Sequence, residues 1–220
     1  MRFELAALLL AGALGATLHV GATESRVVSS AKFARTALFD MTYCGETLVA
    51  VGERGVVMRS DDGGKNWQPQ KTPTTRTLTS IISLGEASAI AAGHGGTILR
   101  TEDRGRTWTK VDVADVGKDA ILGVTLLKSG VVLAYGAFGL YMSSNDEGKT
   151  WTRGQIINKE FDRHISKVVE VGDSLLLVGE SGTVAWSEDQ GISWRQSPSP
   201  YEGSFFGALV PKEGIPTCFW

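Results

Sequence analysis

A chain of 220 residues, 42% hydrophobic and with a mean hydropathy of −0.01, has an ordinary globular composition and is long enough to bury a sizeable core. Its 22 basic and 24 acidic residues leave a net charge of −2, so there is no bulk positive charge to favour nucleic acid. The two cysteines, Cys44 and Cys218, fit neither a metal spacing nor a redox motif, although they could pair in an oxidising compartment.

The first 22 residues differ from the rest. Arg2 sits in a short basic region, Leu5 to Leu18 are rich in Ala, Leu and Gly, and small residues follow at Gly21 and Ala22. This is the layout of a secretory signal peptide, with cleavage expected after Ala22 or Ala16. Glu4 is atypical of such a segment, and the competing readings are an uncleaved anchor or a buried helix. The apolar run is short for a membrane span. The expected location is periplasmic or otherwise extracytoplasmic.

From about Ser25 onward, two motifs recur in register. The first is G-x-x-G followed by an apolar strand, at Gly52, Gly93, Gly136 and Gly179. The second is an eight-residue box, Ser/Thr-x-Asp-x-Gly-x-(Thr/Ser/Asn)-Trp, written as SDDGGKNW, TEDRGRTW, SNDEGKTW and SEDQGISW. Successive box tryptophans lie 41, 43 and 43 residues apart, a period that signals a repeat architecture. In the second repeat, Leu78–Leu84, Ser88–Gly93, Thr97–Thr101 and Trp108–Val111 read as four strands separated by Gly- and Asp-rich turns. Four strands per repeat of about 40 residues is a propeller blade. The expected fold is therefore an all-β propeller over residues 25–220, with four full blades and part of a fifth; a β-solenoid is the competing layout.

Each box reads as a self-satisfied hairpin corner. Asp62, Asp103, Asp146 and Asp189 accept hydrogen bonds from turn amides, and the preceding Ser or Thr adds another. Gly64, Gly105, Gly148 and Gly191 supply the positive φ of a tight turn. Trp67, Trp108, Trp151 and Trp194 begin the next strand and fold an apolar ring under the turn. The four aspartates are too far apart, with too few neighbouring oxygens, to read as a calcium loop. No metal or cofactor is expected.

The end of the chain starts the pattern again. SFFGALVPKEG (Ser204 to Gly214) aligns with AILGVTLLKSG (Ala120 to Gly130), but Pro216 falls where the next strand should run and the chain stops where the turn glycine is due. This suggests a truncated or frame-disrupted copy of a longer propeller, the alternative being an open arc that dimerises.

The boxes resemble the bacterial neuraminidase repeat, or Asp-box. With G-x-x-G ahead of them, the repeats resemble the photosystem II assembly and stability factor family over roughly Lys32 to Gly214. That resemblance implies a propeller exported or held in the thylakoid lumen. It implies a non-catalytic protein that binds a reaction-centre protein during assembly. Photosynthesis enters through the family alone.

Sialidases and other glycoside hydrolases also carry Asp-boxes, so an extracytoplasmic glycosidase or carbohydrate-binding protein is the second reading. A sialidase requires an arginine cluster, a Tyr–Glu nucleophile pair and an acid/base Asp. The Arg-Ile-Pro motif is absent, and Tyr43, Tyr135, Tyr141 and Tyr201 have no Glu at a distinctive spacing. No catalytic residue is assigned. The loops between second and third strands carry Glu53, Arg54, His94, Phe138 and Glu180, too varied for shared chemistry. More regular are Arg35, Arg76, Lys118 and Arg163, each 16 to 18 residues before its repeat's first turn glycine. In a propeller these stand at the channel mouth. A ring of cations there could capture an acidic peptide or a carboxylate on a membrane-protein segment; solvated loop charge is the plainer alternative.

Overall fold

In a computed structural model, residues 35–114, 116–211 and 215–219 are described, and the expected leader lies outside them. Four four-stranded antiparallel sheets follow one another along the chain, each a simple meander. Blade 1 comprises β1 (Leu38–Cys44), β2 (Thr47–Gly52), β3 (Val57–Ser60) and β4 (Gln68–Gln70). Blade 2 comprises β5 (Leu78–Ser83), β6 (Ala89–Gly93), β7 (Thr97–Thr101) and β8 (Thr109–Lys110). Blade 3 comprises β9 (Ile121–Leu126), β10 (Val132–Gly136), β11 (Tyr141–Ser144) and β12 (Thr152–Arg153). Blade 4 comprises β13 (Ile165–Val171), β14 (Ser174–Gly179), β15 (Val184–Ser187) and β16 (Arg195–Gln196). A fifth sheet has two strands, β17 (Gly207–Leu209) and β18 (Thr217–Phe219). The innermost strands β1, β5, β9, β13 and β17 pack against one another in chain order.

The expected boundaries hold with small shifts. Each fourth strand begins one residue after its Trp, because the indole turns back into the corner instead of joining the ladder. In the fifth sheet, Pro216 precedes β18, so its missing N–H costs the ladder nothing.

The core is divided among the blade junctions. Val49, Val51 and Val57 meet Leu78, Ala89, Ala91 and Leu99 between blades 1 and 2. Ile90, Ala92 and Ile98 meet Ile121, Val132 and Met142 between blades 2 and 3. Leu133, Tyr135 and Tyr141 meet Ile165, Leu175 and Leu177 between blades 3 and 4. Leu176 and Val178 meet Phe205 and Ala208 at the fifth sheet. Side chains alternate across a strand. So β6 sends Ala89 and Ala91 to blade 1 but Ile90 and Ala92 to blade 3, which is why it reads as a continuous apolar run. Each blade is stabilised by its neighbours, as in other repeat proteins.

At the first blade, Phe39, Met41 and Tyr43 share the face of β1 turned away from blade 2 and are 54 to 61% exposed. Cys44 and Cys218 are both free, one buried in blade 1 and the other half-buried in the fifth sheet, so the structure does not join them.

Candidate functional site

The four box corners share one hydrogen-bond pattern around the Ser or Thr and the Asp, and the first three add a bond from the Trp indole. In the first, the Ser60 hydroxyl donates to Asp62 Oδ1 at 2.8 Å and accepts from Gly64 N–H at 2.9 Å. Asp62 accepts from the Asn66 backbone N–H at 2.9 Å and from its side chain at 2.7 Å. Trp67 Nε1 donates to the Gly64 carbonyl at 2.9 Å. Equivalent bonds recur around Asp103, Asp146 and Asp189. The box glycines have φ between 76° and 89°, and the residue before each, Gly63, Arg104, Glu147 or Gln190, is left-handed as well.

These bonds favour the carboxylate form. The Asn66 backbone and side-chain donors, with Ser60, hold Asp62 at about 2 against an ordinary 3.8. The Thr150 hydroxyl and N–H, with Ser144, do the same for Asp146, also to about 2. Ser193 lowers Asp189; at Asp103 burial opposes the shift but Thr107 and Thr101 override it. A depressed folded-state value means the corners stabilise the fold at every pH above the unfolded value and lose that contribution as pH falls through the folded one. The unfolding midpoint is therefore expected to be level from pH 7 to about 4.5 and to fall steeply between about pH 4 and 2, with Asp146→Asn flattening part of that slope. Tryptophan fluorescence melts across this range check it; a midpoint that rises as pH falls from about 4 to 2 would contradict the sign.

The G-x-x-G motif joins blades, a role its sequence did not disclose. Its first glycine packs on the residue that leads into β1, β5, β9 or β13. A β-carbon on Gly52, Gly93, Gly136 or Gly179 would lie 2.0 to 2.2 Å from the carbonyl oxygen of Ala37, Thr77, Ala120 or His164. Its second glycine meets the segment entering the next blade. Gly96 N–H donates to the Asp119 carbonyl at 2.8 Å, Gly139 N–H to Arg163 at 2.9 Å and Gly182 N–H to Gly203 at 2.6 Å.

Arg35, Arg76, Lys118 and Arg163 are all exposed, just ahead of β1, β5, β9 and β13. Arg163 Nη1 donates to the Ser181 carbonyl at 3.1 Å, in its own blade's β14–β15 turn. Arg76 takes the matching place in blade 2, where a β-carbon on Gly95 would lie 3.4 Å from its Nε. Both side chains thus stand beside the loop between the second and third strands of their own blade. No hydrogen bond joins the four to one another among the described residues. His94 is exposed in the β6–β7 turn. Charge-based reading passed over Phe138, 58% exposed at φ 53° and edge-on to His164 with ring centroids 4.9 Å apart. The signal was there: an aromatic stands where the other repeats carry Arg54, Gly95 and Ser181. Among the described residues, no three His, Cys, Asp or Glu gather to hold a metal ion.

The fold and its corners define an Asp-box propeller. Residues 33–118 match the model of the family described as Photosynthesis system II assembly factor YCF48, and over those residues the chain resembles that family. Similar solved structures include "YCF48 bound to D1 peptide", with a TM-score of 0.59 and 22% identity, covering 80% of this chain and 56% of that one. An ancestral GH74 enzyme has a TM-score of 0.64 at 12% identity, covering 74% of this chain and 24% of its own. YjhT has a TM-score of 0.56 at 11% identity, covering 78% and 69%. At these identities each match shows the fold alone. The chain spans little more than half the length of the YCF48 structure it matches. No curated protein sequence matches it.

Proposed function

We propose that this chain is an exported, non-catalytic propeller that binds a protein partner as an assembly factor, through the face bearing Arg35, Arg76, Lys118 and Arg163. The observation that carries this reading is the recurrence of an exposed cation two or three residues ahead of the first strand of each blade, on loops of a rigid scaffold. The family match over residues 33–118 supports it, as does the relative described with a bound peptide. Guanidinium and ammonium groups held on one face suit a carboxylate-bearing segment. Phe138 adds an exposed apolar anchor of the kind that carries binding energy at interfaces. Export rests on the character of residues 1–22.

A glycosidase requires a carboxyl group held protonated near neutral pH. Among the described residues the carboxylates whose pKa is displaced, Asp61, Asp62, Glu102, Asp103, Asp146 and Asp189, are all displaced downward. That favours the binding reading over hydrolysis. The test is a charge-reversal series, each of the four cations to Glu singly and then together. Binding of a fluorescent acidic peptide is expected to weaken several-fold per change, to vanish in the quadruple variant, and to weaken with salt in the parent. Unchanged binding in a folded quadruple variant would sink the proposal.

A further inference from the structure

The blade junctions are closed by different side chains, and at one of them a slot is left empty. Between blades 1 and 2, Arg59 on β3 is 4% exposed; its Nε donates to the Arg104 carbonyl at 3.0 Å while its other nitrogens grip Asp61. Between blades 2 and 3, Arg100 on β7 donates through Nε to the Glu147 carbonyl at 2.9 Å and is balanced by Glu102 and Glu147. Arg104 and Glu147 occupy the same left-handed position before the box glycine, both at φ 59°.

Between blades 3 and 4 the backbone repeats and the clasp does not. Gln190 has the same φ of 59°. The position of Arg59 and Arg100 is Ser143, and that of Asp61 and Glu102 is Asn145. No hydrogen bond reaches the Gln190 carbonyl among the described residues. The junction is held instead two residues earlier, where Tyr141 Oη donates to the Gly191 carbonyl at 2.9 Å. A groove of about 980 Å³ opens beside it, lined by Ser143, Asn145 and Gln190 together with Glu170, Asp173 and Glu188. Lys128 and Arg153 also line it, and acidic groups outnumber them.

We propose that this groove receives an arginine side chain from a partner protein, which takes the place that Arg59 and Arg100 fill from within the chain at the neighbouring junctions. The guanidinium donates to the Gln190 carbonyl, and the Glu170 and Asp173 rim offsets its charge, with Glu188 shared between it and Arg195, which lies 3.8 Å from that carboxylate. Lysine lacks the planar fork that two such bonds require. The site stands beside the box corners and uses none of the four cations above.

The test is a titration of the 15N-labelled chain with an end-blocked Gly-Gly-Arg-Gly-Gly peptide, and separately with the same peptide carrying citrulline. Saturable amide shifts at Gln190, Gly191 and Glu188 are expected with arginine, and binding roughly tenfold weaker with citrulline, which keeps the shape but loses the charge. The variant S143R/N145E rebuilds the internal clasp, so it is expected to raise the unfolding midpoint and to abolish the shifts. Absence of saturable shifts, equal binding of the citrulline peptide, or shifts that persist in a folded S143R/N145E chain would each overturn the proposal. The citrulline comparison decides the matter even without the variant.

Discussion

Gly93→Ala is expected to destabilise the chain by about 3 kcal/mol or more, a large fraction of the roughly 5–15 kcal/mol that holds a domain folded. The added methyl would sit 2.0 Å from the Thr77 carbonyl oxygen, 2.7 Å from Leu78 Cα and 2.9 Å from Thr77 C. All three atoms are backbone, so no rotamer change relieves the overlap. The backbone cannot retreat cheaply either, because His94 N–H donates to that same Thr77 oxygen at 2.9 Å and the β5–β6 register shifts between Leu78 and Ser80. Gly136→Ala meets the Ala120 oxygen at 2.0 Å and is expected to behave alike. Gly63→Ala is the control. Its φ is 70° but nothing lies within 4 Å of the new methyl, and the other boxes carry Arg104, Glu147 and Gln190 there. Only conformational strain of about 1 kcal/mol is expected. Denaturant unfolding followed by tryptophan fluorescence separates the two; similar losses for Gly93→Ala and Gly63→Ala would show that steric overlap is not what fixes the motif.

The blades were legible in the sequence because their signals are local. Alternation, turn residues and the box all act within eight residues or so, and each repeats in register. The contacts between blades were not legible, because they depend on which face a residue presents to a strand about 40 residues away. Gly52 and Gly93 read as turn glycines, yet what demands glycine is a carbonyl on the lead-in to their own blade. Arg59, Arg100 and Ser143 align at one position of the repeat. The difference gains meaning only once Arg59 Nε is seen to reach the next blade's Arg104 carbonyl. The pairing considered for Cys44 and Cys218 failed for a similar reason: spacing says nothing of their separation into blade 1 and the fifth sheet. The lead-in cations could be picked out because they flank strands whose order was readable. What they bind depends on a partner's chemistry that no blade encodes.

Removing the Tyr141 hydroxyl and removing its ring are expected to give very different results. The ring is 1% exposed in the core between blades 3 and 4 and meets Trp194 edge-on, with centroids 5.8 Å apart at 86°. Tyr141→Ala leaves a cavity there and is expected to cost about 3–5 kcal/mol. Tyr141→Phe keeps the ring and loses only the bond to the Gly191 carbonyl. In the first three boxes that carbonyl is taken by the box tryptophan, at 2.9, 3.1 and 3.1 Å. In the fourth, Tyr141 holds it, and Trp194 Nε1 is buried without a hydrogen-bond partner among the described residues. Phenylalanine would free the acceptor for Trp194, so the cost is expected to stay under about 1 kcal/mol. The Trp194 indole N–H resonance should then move toward those of Trp67, Trp108 and Trp151. A double-mutant cycle with Trp194→Phe measures the exchange, since the penalty of Tyr141→Phe should grow once no indole N–H can replace the hydroxyl. An additive cycle with an unmoved indole resonance would mean that the two donors do not compete for one carbonyl. The indole of the fourth corner would then be held by packing alone, unlike the three before it.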